Sequence, residues 1–445
     1  MERLVSRHAQ VAGATQSRTG HAAAFLEDIG SKSALSACAL LPLFRSLFDS
    51  LFVSSGKASV RDAAELDTST GFSPIDLAAR QADSLTKANK PTVKNSLGLD
   101  IEANDVGYVA TVQIGTPRRN FSVLMDSGSA DFWVGAEGCQ SSTTSGADCV
   151  SISDQLVCAA LIPLDMQGNH TFLGTKSSSS FVDAGQVFQV IYSTGTILGN
   201  VVQDNVAFGG FQLSGHTFGV ATQVSDSLIQ SPYDGRMGLA LSKLSGQGTP
   251  TPVEALAKSR KIQSAITSYK ISRLSDGLND GEITFGGMNT NKFNQDAVAT
   301  LENKNTLGFW EGSMDSVTVD GVNLFINDRT AIFDTGTTFL VVPDLDAQTI
   351  HGAIPGAQSD GNGGFTLPCT TTSSLVLTFD GIDFAIDPRD LTFKPVDASN
   401  PTGLCVSGIT TSQGVSASQW IAGDVFLKNA YLSTNVDDNK IRLAI

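Results

Sequence analysis

From Tyr108 to its end, the chain alternates short apolar runs with breaks that contain Gly. The runs are rich in Val, Ile, Thr and Phe, which suit the pleated surface of a sheet, and the breaks have the composition of tight turns. This pattern predicts strands joined by hairpins, and therefore a mostly β protein. The segments that predict strands are YVATVQIG, FSVLMDSG, FQVIYSTG, NVVQDNVAFGG, GEITFGG, SVTVDGV, TAIFDTG and SLVLTFDG.

Helical periodicity after Tyr108 is confined to two places. Residues 251–260 (TPVEALAKSR) place Pro252 in the first turn, a position that helices favour, and residues 344–350 have a weaker helical pattern. Residues 1–97 differ from the rest, because they are rich in Ala and Ser and end in a stretch where basic residues outnumber acidic ones. We interpret them as a propeptide or linker rather than a packed domain.

Two parts of the chain repeat one pattern. FSVLMDSGSADFWV, around Asp126, and TAIFDTGTTFLVVP, around Asp334, each contain three apolar residues, then Asp, a hydroxyl residue, Gly and a second hydroxyl residue. Each is followed downstream by a similar short segment, DGRMGLA in the first case and WIAGDVF in the second. The repeat predicts two lobes of similar β fold, at residues 98–290 and 291–445.

The chain is acidic overall. Of its 445 residues, 44 are Asp or Glu and 29 are Lys or Arg, which gives a net charge of −15 at pH 7. Such a balance offers no basic surface for nucleic acid or for an anionic membrane, and every long apolar run contains charged residues. We therefore expect neither nucleic acid nor a membrane as a partner. Charged residues make up 16% of the chain, below the usual quarter, and this low share indicates a globular rather than a disordered chain.

The Cys and His residues favour disulfides over a metal site. None of the six Cys residues forms a CxxC pair, and the five His residues are isolated, so neither a metal nor a cofactor is expected. We interpret His170, His216 and His351 as surface or loop residues. Disulfides indicate an oxidising compartment, although the polar start of the chain has no visible signal peptide.

The repeated Asp-hydroxyl-Gly motif is the candidate site. One such triplet occurs easily by chance and usually marks a turn. Two copies, each at the end of an apolar run and each followed by Ser or Thr, indicate more than a turn. An Asp that ends a buried strand loses its hydration, and that loss is costly unless the charge is used.

With these features the chain resembles the pepsin-like aspartic proteases, and most closely their secreted fungal, basidiomycete-type members. The resemblance covers the chain after residue 98. It implies a bilobed, mostly β fold, with two Asp loops meeting in a cleft between the lobes and a hairpin flap that closes over an extended polypeptide substrate. The segments that carry it are Asp126-Ser127-Gly128-Ser129, Asp334-Thr335-Gly336-Thr337, Tyr192-Ser193-Thr194-Gly195, Trp133, DGRMGLA and WIAGDVF.

The resemblance implies the roles of the Asp loops. Asp126 and Asp334 would form a catalytic pair that shares one proton, because two carboxyl groups in contact cannot both ionise. The ionised member would activate a water, and the protonated member would donate to the carbonyl oxygen of the scissile bond. Which Asp is ionised stays open, since the pKa values belong to the pair. The supporting residues would be Ser127 and Thr335, bonded to the opposite lobe, and Ser129 and Thr337, bonded to the outer carboxylate oxygens, with Gly128 and Gly336 between them.

The flap and the disulfides also follow from the resemblance. Tyr192 would pack over the substrate and hydrogen-bond to Trp133, and an ordinary hairpin aromatic is the structural alternative. In the second lobe Cys369 would pair with Cys405. The partner of Cys139 would be Cys149 or Cys158.

Three features depart from the family pattern. Ser193 stands where the flap usually has Gly, which would matter if the backbone there needs a positive φ. Arg236 stands at an ordinarily apolar position, where burial without a partner would be costly. Residues 150–167 interrupt the pattern, and we interpret them as a translated fungal intron, because the segment has a typical intron length and its end residues can be read as splice-site codons. A lineage-specific loop is the alternative, and the sequence of the mature transcript decides between them.

The leading hypothesis for function is an endopeptidase that acts at acid pH and is made as a zymogen. The alternative is a catalytically silent member of the fold that binds peptides or inhibitors, and an incorrect gene model is a third possibility. Two intact Asp motifs favour the enzyme. By family resemblance we expect a monomer that is secreted or vacuolar, while the cleavage preference and processing site do not follow from the sequence.

Overall fold

In a computed structural model of the protein, residues 85–142, 149, 170–361, 363–411 and 416–445 are described. Most of the predicted propeptide and the interpreted intron at 150–167, with Cys158, lie outside the described residues. Within them, strands dominate and helices are short, so the prediction of a mostly β protein is confirmed. Among the helices of these ranges, none has the length and apolar character needed to span a bilayer.

The strands before residue 290 include every segment predicted there. They are β1 (Leu85–Thr86), β2 (Ser96–Gly98), β3 (Asp100–Glu102), β4 (Gly107–Ile114), β5 (Arg119–Asp126), β6 (Phe132–Ser141), β7 (Val182–Tyr192), β8 (Gly195–Phe208), β9 (Phe211–Val224), β10 (Gly235–Gly238), β11 (Ile266–Lys270) and β12 (Glu282–Phe285).

The strands after residue 290 likewise include the three predicted there. They are β13 (Val298–Glu302), β14 (Glu311–Met314), β15 (Ser316–Val319), β16 (Val322–Asn323), β17 (Arg329–Phe333), β18 (Leu340–Val342), β19 (Gln358–Ser359), β20 (Phe365–Pro368), β21 (Leu375–Phe379), β22 (Ile382–Ile386), β23 (Thr392–Pro395), β24 (Leu404–Ser407), β25 (Ile409–Thr411), β26 (Gln419–Ala422), β27 (Tyr431–Asn435) and β28 (Lys440–Ala444).

The helices in the described ranges are α1 (Asp226–Ile229), α2 (Pro252–Lys258), α3 (Asp344–Ala353) and α4 (Asp424–Leu427). Both predicted helices are present, as α2 and α3. Helix α2 begins after Thr251, whose side chain accepts from the backbone N–H of Glu254, while the Glu254 carboxylate accepts from the N–H of Thr251. This capping box satisfies N–H groups that a helix start leaves free. Single-turn 3₁₀ helices occupy Ser242–Leu244 and Leu274–Asp276.

Five sheets are formed by these strands. A nine-stranded sheet has the order β1-β3-β4-β5-β10-β6-β9-β8-β7, and a six-stranded sheet has the order β13-β28-β27-β11-β12-β2. A five-stranded sheet (β14-β17-β26-β18-β25) and two four-stranded sheets (β16-β15-β21-β22 and β19-β20-β24-β23) use only strands after residue 290. The six-stranded sheet therefore joins strands from both halves of the chain.

The sequence repeat corresponds to a repeat of strand topology. In the nine-stranded sheet, β5 lies parallel to β10, β10 antiparallel to β6, and β6 parallel to β9. In the five-stranded sheet, β17 lies parallel to β26, β26 antiparallel to β18, and β18 parallel to β25. Each candidate Asp stands at the carboxyl end of the first strand of its set, at equivalent places in the two halves.

Two disulfides join Cys residues of the described ranges. Cys369 is bonded to Cys405, as the resemblance implied, and Cys139 is bonded to Cys149. The second bond settles the alternative that the sequence left open for Cys139. It ties the end of β6 to the residue that precedes the undescribed segment 150–169.

The interpretation of His216 and His351 as surface or loop residues is wrong. His216 lies in β9, stacked with Phe132 and Phe218, and His351 lies in α3, stacked on Phe365. Both are buried, and burial lowers the pKa of each to about 4. A neutral imidazole packs as an aromatic ring, which an isolated His in the sequence does not reveal. His170 lies in a loop, as expected.

Candidate active site

The two Asp loops are linked by a symmetric set of hydrogen bonds. The backbone N–H of Ser127 donates to Thr335 Oγ1 at 2.9 Å, and the N–H of Thr335 donates to Ser127 Oγ at 3.0 Å. Each hydroxyl then donates across the interface to a backbone carbonyl, Ser127 Oγ to Phe333 at 2.8 Å and Thr335 Oγ1 to Met125 at 2.7 Å. Because both side chains are buried, these bonds fix the two loops against each other.

Each carboxylate is held in the same way by its own loop. Asp126 Oδ1 accepts from the Gly128 N–H at 2.8 Å, and Asp126 Oδ2 accepts from Ser129 Oγ at 2.5 Å. For Asp334 the donors are the Gly336 N–H at 2.8 Å and Thr337 Oγ1 at 2.7 Å. The hydroxyl after each Gly therefore orients the outer carboxylate oxygen.

The carboxyl groups of Asp126 and Asp334 face each other, each beside the glycine of the opposite loop. Burial, reinforced by the negative charge of Asp126, raises the pKa of Asp334 to about 7. Gly128 and Gly336 make this approach possible, because a Cβ on Gly128 would lie 2.2 Å from Asp334 and one on Gly336 would lie 2.4 Å from Asp126. The structure thus brings together a carboxylate and a carboxylic acid in a buried pair.

The hairpin of β7 and β8 carries the predicted flap residues. Its two-residue turn is Ser193-Thr194, with Tyr192 paired to Gly195. Gly195 has a φ of 151°, whereas the φ of Ser193 is not positive. The concern about Ser193 therefore does not apply, because the conformation that needs Gly lies at Gly195.

Tyr192 extends from this hairpin onto Trp133 and Arg236. Trp133 Nε1 donates to its hydroxyl at 2.9 Å. The guanidinium of Arg236 lies over its ring, 4.2 Å from the centroid. The sequence-predicted flap and Trp133 are therefore in contact with each other and with one residue that was not predicted to belong to the site.

That residue is Arg236, in β10. It is buried, as its place in an apolar segment predicts, but it has a partner: Nη1 donates to Asp126 Oδ2 at 2.9 Å. The sequence contains one signal of this contact, a charged side chain within an apolar segment, and no indication of which group it would meet.

A third buried carboxyl group lies near the pair. Asp424 begins α4, and neither of its oxygens has a hydrogen-bond partner among the described residues. Burial raises the pKa of Asp424 well above its ordinary value; Lys428 lowers it in part, and the charge of Asp334 raises it further. The folded protein therefore binds a proton here that the unfolded chain releases.

We expect the protein to lose stability between pH 4 and pH 7, in part because of Asp424. A carboxyl whose folded-state pKa is raised contributes its full stability below its unfolded pKa, near 3.8, and loses it as the pH rises toward the folded value. The loss is about 1.4 kcal/mol per pH unit for each such group in that window. Asp334 contributes in the same direction between pH 3.8 and about 7.

Asp424→Asn should therefore flatten the fall of melting temperature between pH 4 and pH 7 without abolishing it. Thermal unfolding at four pH values measures this, with Asp183→Asn, at an exposed hairpin position, as the matched control. Equal slopes for the parent protein and Asp424→Asn would show that Asp424 ionises normally.

Comparison with known proteins assigns this site to a protein family. Residues 107–445 match the family model described as eukaryotic aspartyl protease. The chain is 33% identical over 358 residues to a probable aspartic-type endopeptidase CTSD of Arthroderma benhamiae, covering 80% of this chain and 64% of that protein. It is 31% identical over 361 residues to the aspartic-type endopeptidase ctsD of Aspergillus fumigatus, covering 80% and 69% of the two chains.

A third relative is the rhizopuspepsin of Rhizopus chinensis, 29% identical over 345 residues, with 77% of this chain and 79% of that protein covered. The chain thus spans about two thirds of the length of the Arthroderma relative and more of the others. The family model covers both Asp loops, the flap hairpin and Arg236. On this match and the repeated strand topology around the two Asp residues, the chain belongs to the eukaryotic aspartyl protease family and has its bilobed, pepsin-like fold.

Proposed function

We propose that the protein is an aspartic endopeptidase that hydrolyses polypeptides at acid pH through Asp126 and Asp334. The observation that carries this proposal is the pair of facing, buried carboxyl groups, of which one is a poor acid. Such a pair holds one proton over a range of pH and so contains an acid and a base at once. The names of the fungal relatives agree with this activity.

The reaction follows from the shared proton. The carboxylate takes a proton from a water, whose oxygen attacks the carbonyl carbon of the scissile bond, while the carboxylic acid donates its proton to the carbonyl oxygen. The tetrahedral intermediate then collapses with cleavage of the C–N bond: the carboxyl group that took the proton of the water donates it to the leaving nitrogen, and a hydroxyl of the intermediate returns a proton to the other carboxylate. The hydrogen bonds from Ser129 and Thr337 keep both carboxyl groups oriented through these steps.

The remaining parts of the proposal rest on the family and on the composition. Residues 1–97 contain the propeptide of a zymogen, and the catalytic lobes are residues 98–290 and 291–445. The enzyme acts as a monomer on extended polypeptides, without metal or cofactor. The two disulfides suit an oxidising compartment, and we propose a secreted or vacuolar location.

Hydrolysis of an acid-denatured protein between pH 2 and pH 7 tests this function. We expect cleavage confined to acid pH and blocked by a statine-type inhibitor, whose hydroxyl imitates the tetrahedral intermediate. Cleavage that survives the inhibitor, or that peaks above pH 7, would contradict the proposal.

The catalytically silent alternative keeps one observation in its favour. Arg236 donates to Asp126 Oδ2, which also accepts from Ser129 Oγ, and the two donors leave that oxygen little capacity to accept from a water. A silent protein would bind the statine-type inhibitor, as measured by calorimetry, without hydrolysing any substrate. The two functions therefore differ in turnover and not in binding.

Replacing Tyr192 by Ala should lower kcat/KM by about 100-fold, since the loss of one positioning contact above the reacting groups can cost that much. The melting temperature should change little, because Tyr192 lies at the tip of a hairpin. The contacts at stake are the hydrogen bond from Trp133 and the packing on Arg236. Peptide hydrolysis and thermal unfolding measure the two effects.

Val187→Ala is the matched control, since Val187 lies in the same strand and its side chain is 78% exposed. We expect parental kinetics for this variant. If Tyr192→Ala has parental kinetics and a melting temperature lower by several degrees, Tyr192 is an ordinary hairpin aromatic.

A further inference from the structure

The ion pair between Arg236 and Asp126 makes the two carboxyl groups unequal. Arg236 stands in β10 opposite Leu124 of β5 and Trp133 of β6. Its side chain is 8% exposed, and its Nη1 lies 2.9 Å from Asp126 Oδ2. The positive charge of Arg236 therefore acts on the Asp126 carboxylate at contact distance, away from water.

The equivalent position in the other half of the chain has no charge. Arg236 pairs with the residue two before Asp126, and Ile421 in β26 pairs with the residue two before Asp334. Asp334 makes no ion pair with Lys or Arg within the described ranges, whereas its bonds to Gly336 and Thr337 match those of Asp126. The cation is thus the principal difference between the two sides of the pair.

The other groups around Arg236 do not neutralise it. The side chains of Tyr192 and Tyr233 lie beside it, and its Nε has no partner among the described residues. Burial opposes the charge of Arg236, but Asp126 together with Tyr233 and Tyr192 outweighs that effect and keeps the pKa of the guanidinium above its ordinary value. The buried phenol of Tyr269 also faces the carboxyl pair, and Asp131 adds negative charge near Tyr192, whereas the buried carboxyl of Asp424 holds a proton.

We propose that Arg236 is a positioning residue that holds Asp126 as the ionised member of the pair and leaves the shared proton on Asp334. This inference rests on the proposed function and assigns the base and the acid within it. Asp126 accepts the proton of the water, and Asp334 donates to the carbonyl oxygen. Tyr192, packed on the guanidinium, keeps Arg236 in place over this carboxylate.

The assignment has a consequence for the pH profile. A cation in contact with a carboxylate commonly lowers its pKa by about 1–3 units. The acid limb of the profile marks the uptake of the second proton by the pair, so Arg236 moves that limb to lower pH. Removal of the charge should move it back upward.

The test compares kcat/KM between pH 2 and pH 7 for the parent protein, Arg236→Met and Arg236→Gln. The Met variant loses both the charge and the hydrogen bond. The Gln variant loses the charge but keeps a hydrogen-bond donor, so it should fold even if the Met variant does not. We expect the acid limb to move up by at least one pH unit in both. Arg329→Met is the matched control, because Arg329 forms a similar ion pair with Asp346 away from the site and should leave the profile in place.

A second readout does not need turnover. NMR of the protein labelled with ¹³C at the Asp side-chain carboxyl groups, with the Asp126 signal assigned through Asp126→Asn, follows the protonation of Asp126 directly. We expect Asp126 to remain ionised to a lower pH in the parent than in Arg236→Gln. An inactive parent would overturn the proposed function and leave this measurement intact.

Two results would overturn the inference itself. One is an acid limb that stays unchanged in folded Arg236 variants of an active parent. An unchanged limb together with a rise in KM at every pH would indicate that Arg236 only supports the flap. The other is an Asp126 signal that titrates at the same pH with and without Arg236.

Discussion

Replacing either Asp126 or Asp334 by Asn should lower the rate of peptide hydrolysis by about 10³-fold or more, because general acid and base catalysis each contribute about 10²–10⁴-fold. An amide at position 126 would no longer accept a proton, and an amide at position 334 would no longer release one as the carboxylic acid does. The amide is nearly isosteric with the acid and its oxygen still accepts hydrogen bonds, so the fold should survive, but Asp126→Asn removes the anion beside buried Arg236 and should be the less stable of the two variants. The two variants should lose activity to a similar extent.

The rates are measured on a denatured protein substrate at the pH optimum of the parent, with thermal unfolding as a check on the fold. Asp183→Asn introduces the same chemical change at an exposed position and should have the parental rate. Contaminating proteases are excluded by purifying all variants in the same way and by adding the statine-type inhibitor. Hydrolysis by either Asn variant at a rate close to the parental one would contradict the assignment of the pair.

The sequence predicts the parts of this site that repeat locally. Each Asp loop carries its own signal, since an apolar strand followed by Asp, a hydroxyl residue and Gly is complete within one short segment. The same holds for α2, whose capping residues Thr251 and Glu254 lie within one turn. Strand periodicity predicts the hairpins for the same reason, because alternation and turn residues are local properties.

The features that sequence analysis missed depend on pairings between distant segments. Arg236 meets Asp126 only because β10 lies beside β5 in one register, and a shift of one residue would turn the guanidinium to the other face of the sheet. His216 and His351 are buried by aromatic neighbours from other strands. The partner of Cys139 also required the structure, since two Cys residues were available nearby in sequence.

Alanine at Gly128 or Gly336 should lower kcat/KM by about 100-fold or more, the effect expected when a reacting group is displaced by about 1 Å. A Cβ on Gly128 would lie 2.2 Å from the Asp334 carboxyl, and one on Gly336 would lie 2.4 Å from that of Asp126. The carboxyl groups cannot retreat, because Ser129 and Thr337 hold their outer oxygens. Either the new methyl group or the opposite carboxyl must move, and in both cases the two acids separate.

Kinetics over the whole pH range distinguish this separation from a simple loss of folded protein. Two carboxyl groups that no longer touch titrate more independently, so the pKa of Asp334, raised to about 7 by burial and by Asp126, should fall and the basic limb of the profile should move to lower pH. Gly352→Ala is the matched control, because Gly352 lies in α3 and a Cβ there would meet nothing within 4 Å. This change should leave the kinetics unchanged and should stabilise the helix by up to about 1 kcal/mol. If Gly128→Ala and Gly336→Ala keep both the parental rate and the parental basic limb, catalysis does not depend on the close approach of the two carboxyl groups. That result would contradict the proposal that they share one proton.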